Sequence, residues 1–301
     1  MIKIPTYLKK GDTIGITCPA GYMAAEKAQA CITILQSWGF EVMVGKTLGS
    51  KSKNYFSGSD EERRDELQAM LDDENINAIL FGRGGYGMGR IIDELDFTKF
   101  KKKPKWVIGY SDITILHAHL YTKIKVASLH APMAAAFNEG ENEFIKALQN
   151  AIKGKKAKYS AAPHPFNKPG TATAELVGGN LSLLANITGT PSDFNTKNKI
   201  LFLEDIGEQI YSIDRMLYQL KRSGKLANLA GLIIGGFTDM KDTERPFGKT
   251  VYEAISDLLA EYDYPVAFGF PVSHGTANYA LKIGINYVLK VGKLKTRLTE
   301  A

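Results

Sequence analysis

The stretch Trp106-Val-Ile-Gly-Tyr-Ser-Asp-Ile-Thr-Ile-Leu116 places a serine where an apolar, β-prone run gives way to a helical pattern. Trp106 to Ile108 reads as a strand and Gly109-Tyr110-Ser111-Asp112 as a sharp turn. Ile113, Leu116, Leu120 and Ile124 then recur at helical spacing. Strand, tight turn and helix with a serine at the turn is how a nucleophile elbow is built. The geometry lifts the hydroxyl off the backbone and aims the first N–H groups of the helix at whatever the serine attacks. The same window also fits a plainer role, Ser111 as the N-cap of the helix, since serine is a favoured cap.

A serine needs a base, and the base an orienting carboxylate. Of five histidines, His117 and His119 follow the elbow two residues apart and so point to different faces. His164 lies between prolines, and His130 follows the apolar stretch Val126-Ala-Ser-Leu129. His274, in Pro271-Val-Ser-His-Gly275, comes directly after a strand pattern, where active-site loops often lie. A lone loop histidine is more often an incidental polar residue, but paired with an elbow serine His274 is the best candidate base. Leu201-Phe-Leu-Glu204-Asp205 puts two acids at the end of an apolar strand. Glu204 extends the apolar run and is the expected orienter, whereas Asp205 suits a helix cap. Strand alternation sends the two acids to opposite faces.

The segment Gly82-Arg83-Gly84-Gly85-Tyr86-Gly87 matches the dinucleotide fingerprint, follows a strand pattern and precedes a helix. Asp112 falls near the end of the next strand, where a ribose-binding acid would sit. Against this, the motif follows the third strand pattern, not the first, and Asp112 adjoins the serine turn. Two further readings stand beside the nucleotide one. The loop is a glycine-rich turn with positive φ angles, or its N–H groups form half of an oxyanion hole. Arg83 is a group that could hold a substrate carboxylate bidentately, or else a structural ion pair. No metal-ligand spacing and no phosphate-binding P-loop sequence is present.

The elements that must position these residues alternate through the first half. Asp12–Cys18, Phe40–Val44, Ile76–Phe81 and Trp106–Gly109 read as strands. Ala24–Trp38, a segment capped by Ser59 and running to Leu71, and Met88–Leu95 read as helices between them. This is a βαβ rhythm and predicts a parallel sheet. In the second half Leu181–Ile187 and a segment around Ile213, Met216, Leu217 and Leu220 read as helices. Ile200–Leu203, Leu232–Gly236, Val266–Phe270 and Tyr287–Val291 read as strands. The fold class is therefore α/β, with domains over 1–153 and 170–301 and a Lys-, Ala- and Pro-rich linker over 154–169.

With 301 residues, 44% hydrophobic and 23% charged, the chain is of ordinary globular composition. No apolar run reaches the length of a transmembrane helix. Met1 to Lys10 lacks the apolar core of a signal peptide, so a cytoplasmic location is expected. Cys18 and Cys31 suit a reducing compartment. The net charge of +6 is scattered, and its one cluster, Lys101, Lys102, Lys103 and Lys105, lacks interleaved aromatics. It reads as a solvated loop rather than a nucleic-acid surface.

With Ser111, Glu204 and His274 in that order, the chain resembles the L,D-carboxypeptidase family of murein tetrapeptide carboxypeptidases and microcin-immunity peptidases. The resemblance rests on Gly11-Asp-Thr-Ile-Gly-Ile16, Gly82-Arg-Gly-Gly-Tyr-Gly87, Gly109-Tyr-Ser-Asp112, Gly178-Gly-Asn-Leu181, Leu203-Glu-Asp205 and Pro271-Val-Ser-His-Gly275. It implies a flavodoxin-like N-terminal domain, a smaller strand-rich C-terminal α/β domain, and a homodimer. It also implies Ser111 as nucleophile, His274 as general base and acid, and Glu204 as its orienter. The N–H groups of Gly85 and Asp112 would form the oxyanion hole. The implied reaction removes the terminal D-alanine of a cytoplasmic muropeptide tetrapeptide in cell-wall recycling. No cofactor, metal, nucleic acid or membrane is involved in that reading. The competing functions are a nucleotide-binding module using Gly82 to Gly87, and the immunity branch of the same family.

Overall fold

The apolar runs of the first half form a parallel sheet because their side chains are buried on both faces. Ile14, Ile16, Ile79, Leu80, Phe81, Val107, Ile108 and Leu129 are all inaccessible to solvent or nearly so. The computed structural model describes residues 1–301. It divides into one unit of Met1–Lys155 with Ala280–Lys282, and a second of Lys156–Tyr279 with Ile283–Ala301.

The strands of the first half are β1 (Thr13–Thr17), β2 (Glu41–Val44), β3 (Ile76–Phe81), β4 (Trp106–Gly109) and β5 (Ser128–His130). The second half contributes β6 (Lys158–Ala161), β7 (Gly170–Asn180), β8 (Ile200–Ile206), β9 (Gly231–Thr238) and β10 (Val266–Ala267). The last three are β11 (Leu281–Ile283), β12 (Asn286–Val291) and β13 (Thr296–Glu300). The first sheet has the order β11-β5-β4-β3-β1-β2, so the chain returns late to add a sixth strand. The pairs among β1 to β5 are parallel, as the βαβ rhythm predicts.

Helices α1 (Gln29–Ser37), α2 (Asp60–Asp72), α3 (Met88–Ile91), α4 (Thr98–Lys102), α5 (Thr114–His119) and α6 (Glu143–Ile152) accompany this sheet. Ser59 caps α2 as expected, in a full capping box with Glu62, worth about 1 kcal/mol. The expected helix over Ala24–Trp38 begins instead as a 3-10 turn, Ala25–Ala28. The helix after the serine turn is likewise composite: a 3-10 turn, then α5, then a wider turn over Leu120–Ile124. Helix α6, with Ile145, Leu148 and Ile152 on its buried face, is an element the sequence reading omitted.

The second sheet runs β10-β9-β8-β7-β12-β13-β6. It is parallel from β7 through β10 and antiparallel from β7 through β6. The segment read as a linker, 154–169, contains strand β6, which pairs with β13. Helices α7 (Leu181–Asn186), α8 (Ile210–Arg222) and α9 (Val251–Leu258) complete the unit. The sequence reading also missed α9, although its Thr250–Glu253 capping box is a sequence-level signal.

Candidate active site

The first unit supplies the serine turn. Strand β4 ends at Gly109, Tyr110 is extended, and Ser111 takes φ +62°. A left-handed backbone at a residue with a side chain costs on the order of 1–2 kcal/mol and is held only by the structure around it. Ser111 is the first residue of the 3-10 turn, not its cap; the cap position belongs to Tyr110. The capping role weighed for Ser111 is therefore corrected.

The glycine segment passes directly beside this serine. A Cβ placed on Gly84 would lie 2.8 Å from Ser111 Cβ, 2.9 Å from its Oγ and 3.3 Å from Asp112 N. Only glycine fits against the hydroxyl there, and the Gly85 peptide follows at once. The Asp112 side chain points inward, wholly buried, and its Oδ2 accepts a hydrogen bond from Met88 N at 2.7 Å. Burial pushes its carboxyl up to about 6. The acid expected to meet a ribose in the nucleotide reading is thus engaged by the protein's own backbone.

Three histidines in the first unit have structural surroundings. His117 is fully buried with Nε2 2.9 Å from Gly109 O, and burial pushes its pKa down to about 4, so it stays neutral. His119 stacks on Phe97, and the ring of His130 lies against Tyr110. Arg83 is exposed, donates Nη1 to Tyr22 O at 3.0 Å and forms no ion pair with a carboxylate.

The second unit supplies an acid–histidine pair. Glu204 is completely buried, and its Oε2 lies 2.6 Å from Nδ1 of His274. A carboxylate only accepts, so Nδ1 carries the proton and the ring's basic lone pair is on Nε2. Asp205 faces away, as alternation requires. Its oxygens accept from Asn180 Nδ2 and Ser182 N, both at 2.9 Å, and burial pushes its carboxyl up to about 6. Asn180, from the Gly-Gly-Asn-Leu segment, caps α7 with its Oδ1 and ties the end of β7 to the end of β8.

A bulge aims Glu204. Leu203 pairs with Ile234 but Asp205 with Phe237, so Gly235 and Gly236 of β9 together face Glu204. Such an insertion bends a strand and redirects its neighbours. The two glycines also admit the segment that brings His274. A Cβ on Gly235 would lie 2.2 Å from Val272 O, and one on Gly236 2.4 Å from Ser273 Cβ. Gly236 N instead donates to Val272 O at 2.9 Å. The expected strand 266–270 is regular only over β10, yet Phe270 N still donates to Ile234 O. Tyr252 OH donates to Gly235 O at 2.9 Å, and His164 sits edge-on to the Tyr252 ring and stacked on Phe268.

The sequence reading missed this glycine pair, Tyr252 and the buried Arg63 of α2. In the sequence Gly235-Gly236 reads as an ordinary strand end. Arg63 lay in the charged run Asp60–Glu66, but its spacing with Leu67, Met70 and Leu71 put it on the buried face, a signal that was available. A cavity of about 920 Å³ lies between β2, the segment 45–59 and α2, and none of Ser111, Gly84 or Gly85 lines it. No group of three or more His, Cys, Asp or Glu side chains is placed to share a metal ion. No helix is long and apolar enough to cross a membrane.

Comparison with known proteins adds to this geometry. Residues 14–131 match the model of the LD-carboxypeptidase N-terminal domain, and residues 173–289 that of the LD-carboxypeptidase C-terminal domain. The chain is 34% identical to the probable murein peptide carboxypeptidase of Bacillus subtilis, over 99% of this chain and 94% of that protein. It is 27% identical to the microcin C7 self-immunity protein MccF of Escherichia coli, over 97% of this chain and 94% of that protein. The crystal structure of muramoyltetrapeptide carboxypeptidase from Oxalobacter formigenes superposes with a TM-score of 0.88 at 28% identity, covering 96% of this chain and 98% of that one.

Proposed function

The chain belongs to the LD-carboxypeptidase family and is a carboxypeptidase, and from that premise we propose that Ser111, His274 and Glu204 are its catalytic triad. The substrate in this reading is a muropeptide tetrapeptide, and the product is the tripeptide plus D-alanine. The reaction belongs to cell-wall recycling in the cytoplasm, and the enzyme is a homodimer.

The observation that carries this reading is the Glu204–His274 pair: a wholly buried carboxylate 2.6 Å from Nδ1, which leaves Nε2 as the base. The left-handed turn that presents Ser111 beneath Gly84 supports it. In the reaction His274 Nε2 takes the proton of Ser111 Oγ while Oγ adds to the carbonyl carbon of the L,D peptide bond. The oxyanion so formed accepts from the N–H groups of Gly85 and Asp112. Collapse breaks the C–N bond, and the imidazolium passes its proton to the amine of departing D-alanine. Water, deprotonated by the same histidine, then hydrolyses the acyl-serine. Ionised Glu204 stabilises the imidazolium at each stage. Arg83, with guanidinium donors not engaged by any carboxylate, binds the terminal carboxylate of the substrate.

Incubation with a disaccharide tetrapeptide should release D-alanine, detected by mass. Ser111→Ala should lower turnover by about 10³- to 10⁶-fold while leaving the fold intact. A folded, fully active Ser111→Ala protein would exclude the role. The likeness to the self-immunity protein favours a second reading, a peptidase for nucleotide-linked peptides. Preference for a peptidyl-nucleotide conjugate over the tetrapeptide would establish it. Tight binding of NAD or ATP with no peptidase activity would instead support a nucleotide-binding module.

A further inference from the structure

The segment Gly82 to Gly87 holds four glycines in six residues, so its backbone has more freedom to lose than any comparable stretch. An oxyanion donor is useful only if it is held in place, about 2.7–3.1 Å from where the charge develops. Three of the loop's anchors bear on the path of its backbone past Ser111. Gly82 N donates to Thr17 O at 2.9 Å, and Gly21 N donates to Gly84 O at 3.2 Å. The third anchor is the Gly87–Met88 peptide, which is gripped at both ends. Its N–H donates to Asp112 Oδ2 at 2.7 Å. Its C=O accepts from Arg63 Nη1 at 3.3 Å.

Arg63 is wholly buried. The same nitrogen donates to Pro19 O, Nε donates to Gly58 O at 3.3 Å, and the guanidinium is paired with Asp60. Its Cζ lies 4.8 Å over the Phe56 ring. Pro19 belongs to the turn whose Gly21 holds Gly84, so one side chain braces both segments that fix the loop. Asp112 is the residue after the serine, and its carboxylate therefore ties the far end of the glycine loop to the elbow itself.

We propose that Asp112, through its side chain, and Arg63 are positioning residues for the oxyanion hole: they clamp the Gly87–Met88 peptide and so fix the path of Gly84 and Gly85 past Ser111. The inference rests on Ser111 as nucleophile and Gly85 N–H as a donor. Asp112 then has two separate functions, a main-chain N–H toward the substrate and a carboxylate toward the loop. Buried opposite charges on the two sides of one peptide also make the clamp directional, because the peptide dipole matches them in one orientation only.

The test measures kcat, KM and melting temperature for Asp112→Ala and Asp112→Asn, with Ser111→Ala in the same assay. Removing the acceptor should lower kcat by about 10²-fold with KM within about twofold, the scale expected for misplacing a reacting group by an ångström. Asp112→Asn keeps one oxygen for Met88 N–H and should recover to within about tenfold of the wild type. Should Asp112→Ala fail to fold, Arg63→Lys retains the charge without the fork, and its kcat should fall about tenfold at unchanged KM. A folded Asp112→Ala or Arg63→Lys with wild-type kcat overturns the clamp. So does a loss carried by KM, or an Asn variant no better than Ala. Those results leave the triad standing if Ser111→Ala is inactive. An active Ser111→Ala overturns the nucleophile and the clamp together.

Discussion

At the scale of single residues, Glu204 and Asp205 show how one backbone step divides two chemically similar groups. Glu204 meets His274, and Asp205 meets Asn180 and Ser182. Glu204→Gln keeps the shape but loses the charge that stabilises an imidazolium. The analogous change in a serine protease triad costs about 10⁴-fold in kcat, so a loss of roughly 10²- to 10⁴-fold is expected here. Asp205→Asn should cost much less, and a larger kcat loss at 205 than at 204 would place the orienting carboxylate on the wrong residue. Asp205 has its own signature in stability. Its folded carboxyl, raised to about 6 by burial, holds a proton more tightly than the unfolded group near about 3.9. The native state thus binds more protons than the unfolded one between about pH 4 and 6, and the stability it contributes is lost as pH rises through that window. Asp205→Asn removes that slope. Urea midpoints should show the variant gaining on the wild type from pH 4 to 6 and holding level above, whereas a constant difference across the range would refute the raised value.

At the scale of elements, the residues proposed for catalysis lie where regular structure is interrupted. Ser111 sits where β4 gives way to a left-handed residue, and Glu204 sits opposite an extra residue in β9. Gly235 is a sharp case, with Val272 O only 2.2 Å from where a Cβ would be. Gly235→Ala must displace the segment carrying His274 or bend β9. Overpacking of this kind typically costs about 1–3 kcal/mol. Because the displaced segment holds the histidine, kcat should fall by about tenfold or more in protein that still melts cooperatively. An Ala variant with reduced melting temperature but normal kcat would show that the bulge serves stability alone.

At the scale of the whole molecule, the two units solve the same packing problem differently. The first buries an all-parallel core from β1 to β5, and the second joins a parallel half to an antiparallel half through the long strand β7. The serine belongs to the first unit, and the glutamate and histidine to the second. The homodimer expected from the family resemblance predicts a sedimentation mass twice the 33.1 kDa of the chain. A single species at 33.1 kDa across micromolar concentrations would contradict it.

The α/β class, the cap at Ser59, the parallel pairing of the early strands and the six short motifs were legible in the sequence, because each depends on local spacing or on side chains a few residues apart. The identities of Ser111, Glu204 and His274 as residues to watch came from their places at strand ends. What local pattern does not encode is which distant groups meet. Alternation separates Glu204 from Asp205, but that Glu204 lies 2.6 Å from a histidine 70 residues further along the chain is a contact only the fold makes. Helical spacing puts Arg63 on the buried face of α2, but that its guanidinium meets the glycine loop follows from how α2 packs. Strand β6 emerged from an apparent linker only because β13 was there to pair with it. Hydrogen bonding between strands and the burial of charge are properties of the assembled chain, and they decided the geometry of the site.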